Sequence, residues 1–155
     1  MLEMWMMCME WIKENYMAVA ALALTCLCAA YDIQKKEIPM LPVWIGIIVA
    51  IVAWICRIFA GEAEFMEMTP AVLPGLFLLG VGFFSKEKVG FGDGILLVMI
   101  GLMVGFPFCL VILCIGLISS CLYALFLLVF RRAGKGDSFP FAPFLALAVG
   151  VCMIV

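Results

Sequence analysis

The chain has 155 residues, 68% hydrophobic and 13% charged, with a net charge of −2 and no histidine. Soluble globular domains are nearer half apolar and a quarter charged, so this composition excludes one and points to a protein whose solvent is lipid. No basic patch interleaved with aromatics reads as a nucleic-acid surface, and no nucleic-acid partner is expected.

The opening stretch, MLEMWMMCMEWIKENYM, has no basic segment ahead of its apolar residues, so it does not read as a cleavable signal peptide. Uncharged apolar runs follow at Met17–Tyr31, Ile38–Cys56, Met68–Phe84, Gly94–Phe130 and Ser138–Val155. A helix crosses the hydrocarbon layer in about 20 residues. The fourth run, as one helix, would extend about 55 Å at 1.5 Å per residue. That is too long for one crossing, and VGFPFC (Val104–Cys109) offers a glycine and a proline for a turn. The expectation is an all-α, polytopic membrane protein of six transmembrane helices, over roughly 17–31, 38–56, 68–84, 94–106, 108–130 and 138–155. These form a single integral-membrane domain, residues 1–155. The first, third and sixth spans are short.

Basic residues set the orientation. Lys35 and Lys36 follow the first span, Lys86 and Lys88 the third, and Arg131, Arg132 and Lys135 the fifth. The loop after the second span carries Glu62, Glu64 and Glu67, and the amino-terminal segment carries Glu3, Glu10 and Glu14 against Lys13. The amino terminus is therefore expected outside and the three basic loops in the cytosol, with the carboxyl terminus outside. Arg57 can snorkel to the outer interface. Glu37, Glu87 and Asp137 read as solvated companions of nearby basic residues.

The eight cysteines form no C-x-x-C pair, and without histidine no zinc-ligand spacing exists. Most lie inside apolar runs and read as small hydrophobes. No metal and no cofactor are expected.

Two aspartates stand out. Asp93, in KVGFGDGILLVMI, opens the fourth span, and Asp32, in CLCAAYDIQKKEIPM, closes the first. Two complete crossings separate them, so both fall on the expected cytosolic face. Each alone fits a helix end, Asp93 as an N-cap and Asp32 as an interfacial charge. Together they suit acid–base chemistry, because neighbouring carboxyl groups titrate as a coupled pair, one ionised and one protonated. The ionised member can activate water and the protonated member can donate to a peptide carbonyl oxygen. As the expected cap of the fourth helix, Asp93 would be the more readily ionised partner and Asp32 the proton donor. Gly90, Gly92 and Gly94, at alternate positions around Asp93, would let an extended substrate backbone approach; the bland reading of the same glycines is a flexible turn. The spacing is not G-x-G-x-x-G, since position 95 is isoleucine, which excludes a dinucleotide fold.

Gly90-Phe91-Gly92-Asp93 is a G-x-G-D motif, and Asp32 with Ile38-Pro39 resembles D-x(5)-I-P-N. Phe139–Gly150, FPFAPFLALAVG, resembles a P-F-x-P-F-L-A segment. In these three motifs the chain resembles the type IV prepilin peptidases, intramembrane aspartyl peptidases, from Asp32 through Gly150. The resemblance implies that Asp32 and Asp93 are the catalytic pair. It implies removal of a short, positively charged leader from prepilin or pseudopilin-like membrane substrates, at the cytosolic boundary of the cell (inner) membrane. Pro39, Pro140, Phe141 and Pro143 join the three glycines as candidate substrate-contacting positions, and the prolines also suit a stiffened helix entry. The long form of the family carries an amino-terminal cytosolic domain with paired C-x-x-C motifs, and some of its members N-methylate the new amino terminus. This chain has no C-x-x-C, resembles the short form, and gives no support for methyltransferase activity. Met40 stands where the family commonly has asparagine, and Ile95 where many members have lysine, which bears on substrate preference.

The alternatives are a small transporter or scaffold that uses the aspartates for protons or a cation, and a non-catalytic pilus assembly factor. A transporter would place a charge near mid-span; here both aspartates sit at span ends, which favours the peptidase.

Overall fold

A computed structural model describes residues 16–35, 38–61, 69–84, 91–130 and 140–154. These residues form six helices: α1 Tyr16–Lys35, α2 Met40–Phe59, α3 Leu73–Phe84, α4 Phe91–Val104, α5 Phe106–Val129 and α6 Ala142–Ile154. No strand occurs among the described residues. Number and order agree with the sequence reading, and most boundaries shift by only a few residues.

The first helix differs most. It continues past Tyr31 through Asp32 to Lys35, because Asp32-Ile33-Gln34-Lys35 carries no helix breaker and Pro39 comes only later. It is therefore not a short span. By length and apolar composition, α1, α2 and α5 can each cross a membrane, whereas α4, α6 and the helix ending at Phe84 are shorter. The 14 residues of α4 extend about 21 Å, against about 30 Å of hydrocarbon. Length and composition thus qualify three helices rather than six.

The long fourth run does break, and Gly105 is the break. Its φ of 92° lies in the left-handed region that a side chain would strain, and Pro107 follows in the first turn of α5.

α4 packs against α1, α2, α3 and α5, while α6 packs against α1 and α5. A helix surrounded in this way must be apolar on every side, and Leu96, Leu97, Met99, Ile100 and Leu102 are all buried. Small residues let the helices approach. At Gly101 a side chain would strike the backbone oxygen of Ala71, and at Gly75 it would strike Val98. The outer faces carry exposed large hydrophobics, such as Leu41 and Ile48 on α2 and Ile118 and Phe126 on α5. Apolar surface on that scale belongs in lipid. This is an all-α membrane protein.

Candidate active site

Three helix ends meet at one end of the bundle: the carboxyl end of α1 and the amino ends of α4 and α6. Asp32 is in the last turn of α1 and only 6% exposed. Among the described residues it is the one buried charged side chain; the other buried polar residue, Thr25, donates its hydroxyl to the Ala21 carbonyl of its own helix. Asp93 is in the first turn of α4, half-buried and within Coulombic range of Asp32. The structure therefore brings together the two aspartates singled out in the sequence, from positions 61 residues apart.

Packing fixes their approach. A side chain at Gly92 would bring its Cβ within 3.0 Å of Ile38 Cβ, so the turn before Asp93 lies directly on the segment that follows Asp32. Ile38 leads into Pro39, which occupies the N-cap of α2 with an extended backbone. The aspartate-bearing segments thus lock together through the isoleucine of one motif and a glycine of the other.

Asp93 is not the N-cap of its helix. α4 already includes Phe91, so Asp93 sits inside the first turn. The side chain that caps from outside is Asp32: its Oδ2 accepts a hydrogen bond from the Ala142 backbone N–H at 3.1 Å, and the Phe141 N–H makes a smaller contribution. The first N–H groups of a helix have no acceptor within it. Phe141 is positioned to start α6, because its carbonyl accepts from Phe144 N–H at 3.0 Å and Leu145 N–H at 3.3 Å. Pro143 has no N–H to place. That leaves the Ala142 N–H, and a carboxylate from α1 receives it. The expectation that Asp93 is the favoured anion rested on its capping a helix start; Asp93 is not that cap, and the helix start that donates a hydrogen bond does so to Asp32.

The remaining candidate positions divide. Gly94 is buried, with the space of its missing side chain taken by Leu79 of α3, and Gly92 is likewise covered by Ile38. Both glycines have a packing reason. Gly90 lies outside the described residues, as do Lys36, Glu37, Glu87, Lys88 and Asp137. Pro140 and Phe141 lead into α6, and the Phe141 ring reaches towards Gly116 of α5. Phe144 packs its ring on Tyr123 of α5, with centroids 5.4 Å apart. Among the described residues no cluster of three or more acidic, cysteine or histidine side chains could hold a metal ion.

Sequence reasoning missed Ala142, which offers only backbone. A signal existed nevertheless. Pro140 and Phe141 supply no serine, threonine, asparagine or aspartate to cap α6, so its free N–H needed an acceptor from elsewhere.

Two carboxyl groups within Coulombic range, one of them buried against a donor, can divide the labour of an acid and a base. A family model for the type IV leader peptidase family matches residues 19–128, a stretch that contains Asp32 and Asp93 and stops before α6. No curated protein and no solved structure matches the chain.

Proposed function

Because the chain belongs to the type IV leader peptidase family, we propose that it is an intramembrane aspartyl endopeptidase that removes the leader of prepilin or pseudopilin-like substrates. The observation that carries this reading is the convergence of Asp32 and Asp93 at one end of an apolar bundle. One carboxylate takes a proton from water as the oxygen attacks the peptide carbonyl, and the other carboxyl group protonates the carbonyl oxygen. No histidine is needed, and the chain has none.

All six helices cross the membrane in this reading, the short ones shielded within the bundle or ending in interfacial loops. The basic loops lie in the cytosol and the aspartates at the cytosolic boundary of the cell membrane. A substrate's apolar amino-terminal helix then lies in the bilayer, and its leader stays on the cytosolic side, with the scissile bond between Asp32 and Asp93.

The test is cleavage of a co-expressed prepilin-like substrate, read by gel shift and by sequencing of the new amino terminus. Wild type is compared with Asp32→Asn and Asp93→Asn at matched membrane levels. Cutting by wild type and loss of cutting in both variants is the expected result. Cutting by either variant removes that residue from the mechanism. If wild type cuts none of a panel of such substrates, proton or cation flux through the protein is measured instead.

A further inference from the structure

The two aspartates come from helix ends that treat a carboxylate differently. Asp32 lies at the carboxyl end of α1, where its own helix offers carbonyl oxygens and the negative end of the dipole. It is buried there nonetheless, with Ala142 N–H bonded to Oδ2 and Phe141 N–H close by. Among the described residues, no donor is bonded to the Asp93 carboxylate, and its one charged neighbour is Asp32.

We propose that the amino end of α6 is a positioning element that holds Asp32 as the carboxylate and leaves Asp93 as the protonated partner. The inference rests on the peptidase reading above and assigns the two roles within it. Water gives its proton to Asp32 while its oxygen bonds to the carbonyl carbon. The carbonyl π pair moves onto oxygen, which takes the Asp93 proton, so the intermediate is a neutral gem-diol. On collapse, Asp93 recovers a proton from one diol hydroxyl as the carbonyl re-forms. The C–N bond breaks, and Asp32 passes its proton to the departing amine. Both groups return to their starting states.

Among the described residues, the other groups facing Asp32 do not supply this polarity. Cys28 lies one turn earlier on its own helix, and the Lys35 ammonium sits over the Tyr31 ring, 5.5 Å from its centroid. From α4 comes Asp93. The adjoining starts of α2 (Met40, Leu41, Pro42) and α6 (Ala142, Pro143, Phe144) bring no titratable side chain. The distinguishing contact is therefore the backbone of α6.

The experiment replaces Ala142 with lactic acid, an amide-to-ester exchange that puts an oxygen in place of the N–H and keeps the side chain. Aspartates are labelled with ¹³C, and their carboxyl bands are followed by infrared titration and assigned with Asp32→Asn and Asp93→Asn. A donor to the anion favours ionisation, so its loss raises the pH at which that group ionises. Unmodified protein should ionise Asp32 at lower pH than Asp93, and the ester should move Asp32 upward by about one to two pH units. The acid limb of the cleavage profile should move the same way. Ala142→Gly, which keeps the N–H, should keep Asp32 titrating as in wild type. Asp93 ionising first in the unmodified protein overturns the proposal, and that comparison needs no change at position 142. So does an Asp32 titration that the ester leaves in place. The titration requires no substrate: a chain that cleaves nothing yet titrates as expected loses the peptidase reading alone. Normal cleavage with the reverse titration order loses the role assignment alone.

Discussion

Asp32 and Ala142 are joined by a 3.1 Å hydrogen bond across 110 positions of sequence, and this bond couples the first helix to the start of the sixth. It gives a buried carboxylate a partner and an otherwise unfilled helix start an acceptor.

The bond makes a prediction about stability that is separate from catalysis. Asp32→Asn removes the charge but keeps a carbonyl oxygen facing Ala142, whereas Asp32→Ala leaves the N–H unmet in a buried site. An unmet buried donor costs about 1–3 kcal/mol, so Asp32→Ala should unfold more easily than Asp32→Asn by about that amount. Thermal unfolding of both variants in the same lipid nanodiscs checks this. Equal stabilities would mean that the bond contributes nothing.

Gly92 and Ile38 make a second prediction. A methyl group at Gly92 would stand 3.0 Å from Ile38 Cβ and 3.2 Å from its Cδ1, and it would push apart the two segments that carry the aspartates. Gly92→Ala should lower cleavage at least about tenfold, as misplacement of reacting groups does, with a smaller loss of folded protein. Trimming Ile38 to alanine in the same chain removes two of the three close atoms and should recover part of the rate. Comparison of the single and double variants in the cleavage assay decides it.

Two glycines in the bundle should respond in opposite ways. Gly101→Ala drives a methyl group into the Ala71 carbonyl oxygen and towards Cys109, a clash with backbone that cannot rotate away. Overpacking of this kind costs about 1–3 kcal/mol. Gly80→Ala meets nothing within 4 Å and should be neutral or stabilise by up to about 1 kcal/mol through helix propensity. Unfolding midpoints of the two variants, measured side by side, read the difference directly.

Towards the carboxyl ends of α2 and α4, Trp54 Nε1–H donates to the Leu102 carbonyl at 2.7 Å and ties the two helices together. Trp54→Phe should lose about 0.5–1.5 kcal/mol of stability and leave the pH profile of cleavage unchanged, because Leu102 lies nine residues along α4 from Asp93, about 13.5 Å. A shifted profile would mean that the two places are coupled.

Hydrophobic runs revealed the number and order of helices, because apolar length is what lipid demands, and the break at Gly105 was visible as a glycine followed by proline. The extent of α1 was less legible. A charged Asp32 looks like the end of a span when only hydropathy is read, yet the backbone stays helical through Lys35. Both aspartates could be found, as polar groups at the margins of apolar runs. Their environments could not, because Ala142 contributes a backbone N–H and an alanine side chain announces nothing. The same holds for Gly92 and Gly94. Sequence showed glycines around an aspartate, and only the packing of Ile38 and Leu79 against them shows what fills the vacant space.

The contact between α1 and α6 has a consequence for biogenesis. During synthesis α1 leaves the ribosome before α6, and more than a hundred residues must follow it before Ala142 appears. Until α6 docks, Asp32 has none of the N–H groups that the finished site gives it. In the proposed mechanism, competence therefore arrives with a late step of membrane insertion, and a nascent chain that holds both aspartates still lacks the contact that completes the site.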